Sequence, residues 1–228
     1  MRLHPLWFGC ALAGLLPSTA TGQTCGGFAS FAAEPYQVIG TVGFNDNARA
    51  FGGGLAFGGT GAFGQVNVGA VSYDDFDSGS ITVGAGAGYQ FNLDTKGVAY
   101  LCPTASASFA SGPNDVDVFG DGSVVVDLSE TDVAFGVAIG FVAGQSGKHQ
   151  IIPNASLEFV NASVKARDQL SDASDSESES FGILGLGVGF VLDDVVTLHP
   201  SVSIPFGLDG SSVSFGAAVG VSFGGGAR

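Results

Sequence analysis

Beyond the first 22 residues, the side chains able to do chemistry are few: two cysteines, two histidines and three acidic clusters. Cys25 and Cys102 are an even pair, which in an exported chain points to a disulfide; two free thiols are the alternative. Gly22-Gln23-Thr24 before Cys25 lacks the Leu and small residue that a lipid-anchored cysteine needs. Asp115, Asp117 and Asp121 are weak calcium candidates, because hard cations favour clustered carboxylates. Their spacing does not fit a helix–loop–helix calcium site, and a solvated anionic loop is the plainer reading. Ser171–Ser180, alternating Ser with Asp or Glu, reads as a mobile loop. His149 and His199 stand at strand starts, away from the acidic clusters. No base is expected beside any Ser, and no His/Cys spacing suits a metal. The chain therefore reads as neither an enzyme nor a holder of cofactors.

Those residues need a frame, and composition narrows it. Charged residues make up 12 % and hydrophobic ones 45 %, with 38 glycines and 19 phenylalanines. So much apolar surface excludes disorder, and glycines without a period of three exclude a collagen-like fibre. Residues 1–22 read as a signal peptide: Arg2, a short apolar stretch over Leu6–Leu16, then small residues permitting cleavage after Ala20 or Gly22. Without Arg2, 21 acidic residues face 6 basic ones, a net charge of −15 that argues against nucleic acid as a partner. No later stretch is long and apolar enough for a spanning helix. A membrane protein without such a helix must be a closed barrel, since lipid satisfies no backbone group.

The pattern that follows is strand-like. Val213, Phe215, Ala217, Val219, Val221 and Phe223 alternate with Ser214, Gly216, Ala218, Gly220 and Ser222. Similar alternation occupies 81–91, 133–141 and 181–192. A second strand type recurs about every fifty residues, with Pro third, Ser sixth and Phe ninth: Leu101–Phe109, Ile151–Phe159 and Leu198–Phe206. Ten strands are expected, with eight as the alternative: roughly 35–44, 50–58, 62–72, 80–91, 98–109, 132–142, 150–161, 180–192, 196–206 and 213–223. A bulge near Gly64 is expected, to turn Val66 and Val68 outward. Residues 110–131 and 162–179 read as the longest loops.

The fold class is thus all-β, a single antiparallel transmembrane barrel over 35–223, preceded by a segment 23–34 and followed by a tail 224–228. Strand faces opposite the apolar ones carry Gly, Ala, Ser and Thr with almost no charge, unlike the wet face of a soluble sheet. Glu158 is the exception, and its parity places it in the lumen. Two aromatic girdles are expected: Tyr36, Tyr89, Phe91, Tyr100, Phe141 and Phe223 on the short-turn side, and Phe44, Phe51, Phe109, Phe159 and Phe206 on the loop side. Cys102, between lipid-facing Leu101 and Pro103, should face the lumen near the turn-side mouth. A bridge to Cys25 would fold residues 23–33 into or across that mouth and stabilise the chain by roughly 4 kcal/mol.

The leader, the Gly-rich alternating hairpins and the last strand ending in Phe223 resemble the small outer-membrane β-barrels, the OmpX- and opacity-protein-like group. The resemblance implies an outer-membrane location, periplasmic termini, lipid as surroundings, and Phe223 as a signal to the barrel-assembly machinery, although Gly224–Arg228 follow it. It also implies a structural barrel or narrow passive pore; the alternative is a surface interaction or adhesion protein using long acidic loops. Small lumen residues leave either a narrow passage or room for residues 23–34 as a plug, and an acidic rim would favour cations, including divalent ones.

Overall fold

The computed structural model describes residues 24–31, 34–74, 78–114, 116–117, 125–146, 148–168, 174–208 and 210–224. The expected signal peptide lies outside them, as do Asp115 and Asp121. Ten long antiparallel strands follow one another: β1 (Tyr36–Phe44), β2 (Ala48–Gly58), β3 (Ala62–Tyr73), β4 (Ser80–Tyr89), β5 (Ala99–Ser111), β6 (Val125–Phe141), β7 (His149–Asp168), β8 (Ser174–Leu192), β9 (Val196–Phe206) and β10 (Ser214–Phe223). Each pairs with the next, and β1 pairs with β10, so the sheet closes on itself. The only helix among the described residues is one 3-10 turn, Thr24–Gly26, and none is long and apolar enough to cross a membrane.

The alternation sets the two faces. Val38, Val42, Phe51, Val66, Val68, Ile81, Phe135 and Phe159 stand out from the barrel, while Gln37, Gln65, Thr82, Ala138 and Glu158 are buried within it. An apolar outer face of this extent is far larger than water tolerates on a soluble monomer and requires lipid around it. The closing seam carries an aromatic pair at each end, Tyr36 on Phe223 (5.9 Å) and Phe44 on Phe215 (5.8 Å), both directly opposed across the ladder. Such pairs add about 0.5–1.5 kcal/mol beyond the area they cover.

The three prolines of the repeated strand share one effect. At Pro103 and Pro200 the ladder to the preceding strand breaks off and then resumes in the same register. At Pro153 it resumes one residue out of step, through Gly144–Ser146. A residue without an N–H cannot donate to its neighbour, so each repeat opens its sheet at that level.

Four expectations need correction. No bulge forms at Gly64: the pairing of β3 with β2 and β4 is unbroken. Val66 and Val68 already face outward, because Phe63 points into the barrel and is buried there. Tyr100 leaves the turn-side girdle: it shares the inward parity of Cys102 and packs on the interior cluster, its hydroxyl donating to the Gly97 carbonyl. The two long loops are shorter than their polarity suggested, since β6 begins at Val125, β7 continues to Asp168 and β8 begins at Ser174. Accordingly Ser174–Ser180 is not loop but strand, paired with Asn161–Arg167. Backbone pairing holds these residues in the sheet although no apolar face demands it.

Candidate functional site

At the end of the barrel where β1 begins and β10 ends, the interior is filled by the chain itself. Thr24, Cys25, Phe28, Ala29 and Phe31 are all buried, Cys25 and Phe28 completely. Cys25 is bonded to Cys102 of β5 (Cα–Cα 6.1 Å), so the even cysteine pair is a disulfide and Cys102 faces the lumen. The segment enters the barrel because the walls leave it room. A Cβ at Gly140 would collide with the Thr24 carbonyl, and one at Gly189 with the Gly27 carbonyl. Gly27 itself adopts a left-handed φ of 78°, which suits the tight reversal after the 3-10 turn.

Phe28 is the centre of this plug. Its ring lies 5.4 Å from that of His199 and over Gly220, while Phe31 packs against Gly58 and Phe63. The Nε2 atom of His199 donates to Asn154 Oδ1 at 3.0 Å, tying β9 to β7 beneath the plug; its Nδ1 is buried without a partner. On the seam strands, Gln37 Nε2 donates to Ser222 Oγ at 2.8 Å. Ala29 packs with Ile152 and Val191. His199, Asn154 and Gln37 escaped sequence reasoning as plug residues. Their signal was inward parity at the level of the repeated prolines.

The other end differs. Above Gly182, opposite the last residue of β9, strand β8 has β7 on one side and no paired strand on the other among the described residues. Strands β6, β7 and β8 therefore run on past the barrel as a sheet extension, with Val116–Asp117 along the far edge of β6. On β8 the alternation puts Ser174, Ser176 and Ser178 on one face and Asp175, Glu177 and Glu179 on the other, all exposed. Lower down, inside the mouth, Glu130 and Asp132 of β6 are buried beside each other.

The candidate sites fare unequally. Cys25 and Cys102 are brought together. Phe223 lies at the seam, outward, stacked on Tyr36. Of the calcium candidates only Asp117 is described, its backbone paired with Val125. No group of three or more His, Cys, Asp or Glu suited to a metal occurs among the described residues.

No protein family and no curated protein sequence matches the chain. Solved structures do. The β-domain of the Bordetella autotransporter BrkA superimposes with a TM-score of 0.51 at 13 % identity, over 84 % of this chain and 100 % of that one. This chain has the fold of a small outer-membrane β-barrel. The translocator domain of autotransporter NalP from Neisseria meningitidis is similar at a TM-score of 0.48 and 12 % identity, over 83 % of this chain and 88 % of that one. Ail, the attachment invasion locus protein of Yersinia pestis, gives 0.42 and 11 %, over 83 % and 98 %. At such identities the likeness concerns the barrel alone, and the plug and the acidic extension of this barrel must be read from its own residues.

Proposed function

We propose that the protein is a closed structural barrel of the outer membrane that presents the β6–β8 extension to partners at the cell surface. The observation that carries this reading is the pairing of opposites along one axis: residues 24–31 fill one mouth while three strands project from the other. A barrel whose interior is packed with Phe28, Phe31 and Phe63 leaves little aqueous path. Among the described residues no strand pairs the outer edge of Ser174–Phe181, which offers backbone donors and acceptors, and Asp175 and Glu177 select for cationic partners over acidic ones. By the same reading the plug and both termini are periplasmic, and Phe223 serves assembly.

A second reading keeps the pore. Above the plug the lumen holds Gln65, Asn67 and Glu158, polar side chains that would pass cations if residues 24–31 withdrew. Planar-bilayer recording separates the two. The oxidised protein is expected to be silent, and a Gly189→Val variant, which denies Gly27 its place, is expected to conduct. Steady cation-selective current through the oxidised wild type would overturn the closed-barrel reading.

A further inference from the structure

Glu130 and Asp132 lie two residues apart on β6, so both point inward and their carboxyl groups meet. Both are more than nine-tenths buried, at 3 % and 7 % exposure. Ser108 Oγ donates to Asp132 Oδ2 at 3.1 Å. Apart from their contact with each other, both oxygens of Glu130 and Oδ1 of Asp132 have no hydrogen-bond partner. A buried carboxylate without a donor is among the most costly arrangements a protein can hold, and two side by side repel as well.

The walls supply no cation to relieve them. Lys165 and Arg167 sit on β7 with the parity of Phe159 and point out of the barrel, and Arg49 points outward from β2 to Asp74. What the neighbouring strands do supply is oxygen. In one row across the sheet Thr82 of β4 opposes Ala110 of β5, and Ala110 opposes Glu130. Thr82 is 2 % exposed, and its Oγ1 also lacks a partner. Ala110 is the small residue between them, buried in one cluster with Tyr73. Tyr73 and Ser80, joined hydroxyl to hydroxyl at 3.2 Å, stand on the adjoining strands and face the same space, with Tyr73 within electrostatic reach of Glu130.

We propose that Glu130 and Asp132, with the hydroxyl of Thr82, form a binding site for a hard divalent cation inside the loop-end mouth. Two carboxylates match a double positive charge, and all available donors are oxygens, which favours calcium or magnesium over softer metals. Calcium is the better fit, because it tolerates irregular sets of six to eight oxygens with water completing the shell. This site draws on other residues than Asp115, Asp117 and Asp121, and it does not depend on whether the barrel conducts. Its occupation would bind β4, β5 and β6 together where the projecting sheet leaves the barrel.

Isothermal titration of folded, EDTA-treated protein in detergent with calcium chloride at neutral pH tests it. One saturable equivalent per barrel is expected, weakened roughly tenfold or more in the Glu130→Gln/Asp132→Asn variant, because affinity follows ligand charge. A variant with Asp175→Asn, Glu177→Gln and Glu179→Gln should bind as the wild type does, since those carboxylates lie on the projecting edge. Absence of saturable binding, or equal binding after the Glu130/Asp132 change, would overturn the proposal. Should that double variant fail to fold, Thr82→Val decides: it removes one oxygen without altering shape, and unchanged affinity would contradict the site.

Discussion

The two mouths of this barrel solve opposite problems with the same sheet. At the terminus end the strands carry inward glycines and outward prolines, the ladder opens, and a segment with no strand partner of its own is drawn into the lumen and pinned by a disulfide. At the loop end three strands outrun their neighbours, and the projecting part of β8 carries Ser, Asp and Glu that remain exposed. The difference teaches that apolar contact decides what enters the barrel, while backbone pairing suffices to carry Ser174–Ser180 of β8 beyond it. One mouth is closed by packing, and the other is kept soluble by charge.

The largest test of that contrast is the tether. Replacing Cys25 and Cys102 by Ser is expected to cost about 4 kcal/mol by the loop-entropy account, read from urea unfolding of the oxidised wild type and the variant. If the two unfold alike, the plug owes nothing to the bond. Next comes the contrast between inside and outside aromatics. Phe28→Ala should cost about 3–5 kcal/mol, as for a fully buried core phenylalanine, whereas Phe159→Ala, facing out, should cost clearly less in the same detergent. Equal losses would show that residues 24–31 are not packed as a core.

The smallest expected effect lies in a terminus-end turn. The Asp94 carboxylate accepts from the Val98 N–H at 2.9 Å and the Ala99 N–H at 3.1 Å through Oδ1, and from the Lys96 N–H at 3.3 Å through Oδ2. Desolvation opposes its charge, but the combined donation from Val98, Ala99, Lys96 and Gly97 outweighs it and holds the carboxyl below the usual carboxylate range. A lowered folded value means stability present above the unfolded value and lost as pH falls through the folded one. Acid titration of unfolding should therefore show a small loss at low pH that Asp94→Asn removes.

Much of the barrel was legible. Alternation at Ile81–Phe91, Val133–Phe141 and Val213–Phe223 gave the strands and their faces, because lipid outside and small residues inside impose a period of two. It also placed Glu158 and Cys102 inward, as observed. The strand ends beyond lipid were not legible: Ser174–Ser180 carries no apolar alternation, and only its pairing with β7 makes it sheet. Tyr100 departs from its expected girdle because aromatic type alone does not mark the outer face: it packs on the plug side, as Phe63 does. The sequence allows the plug only as one of two outcomes, since residues 24–31 show no period and their place depends on distant glycines such as Gly140 and Gly189. The carboxyl pair was invisible for a related reason: Glu130 read as one more loop charge until β6 was seen to begin at Val125.

Hydrogen–deuterium exchange of the folded, oxidised protein in detergent tests the central claim most directly. The account predicts that the amides of residues 24–31 exchange as slowly as those of the strands around them. Exchange as fast as in an exposed turn would contradict a barrel closed by its own N-terminal segment.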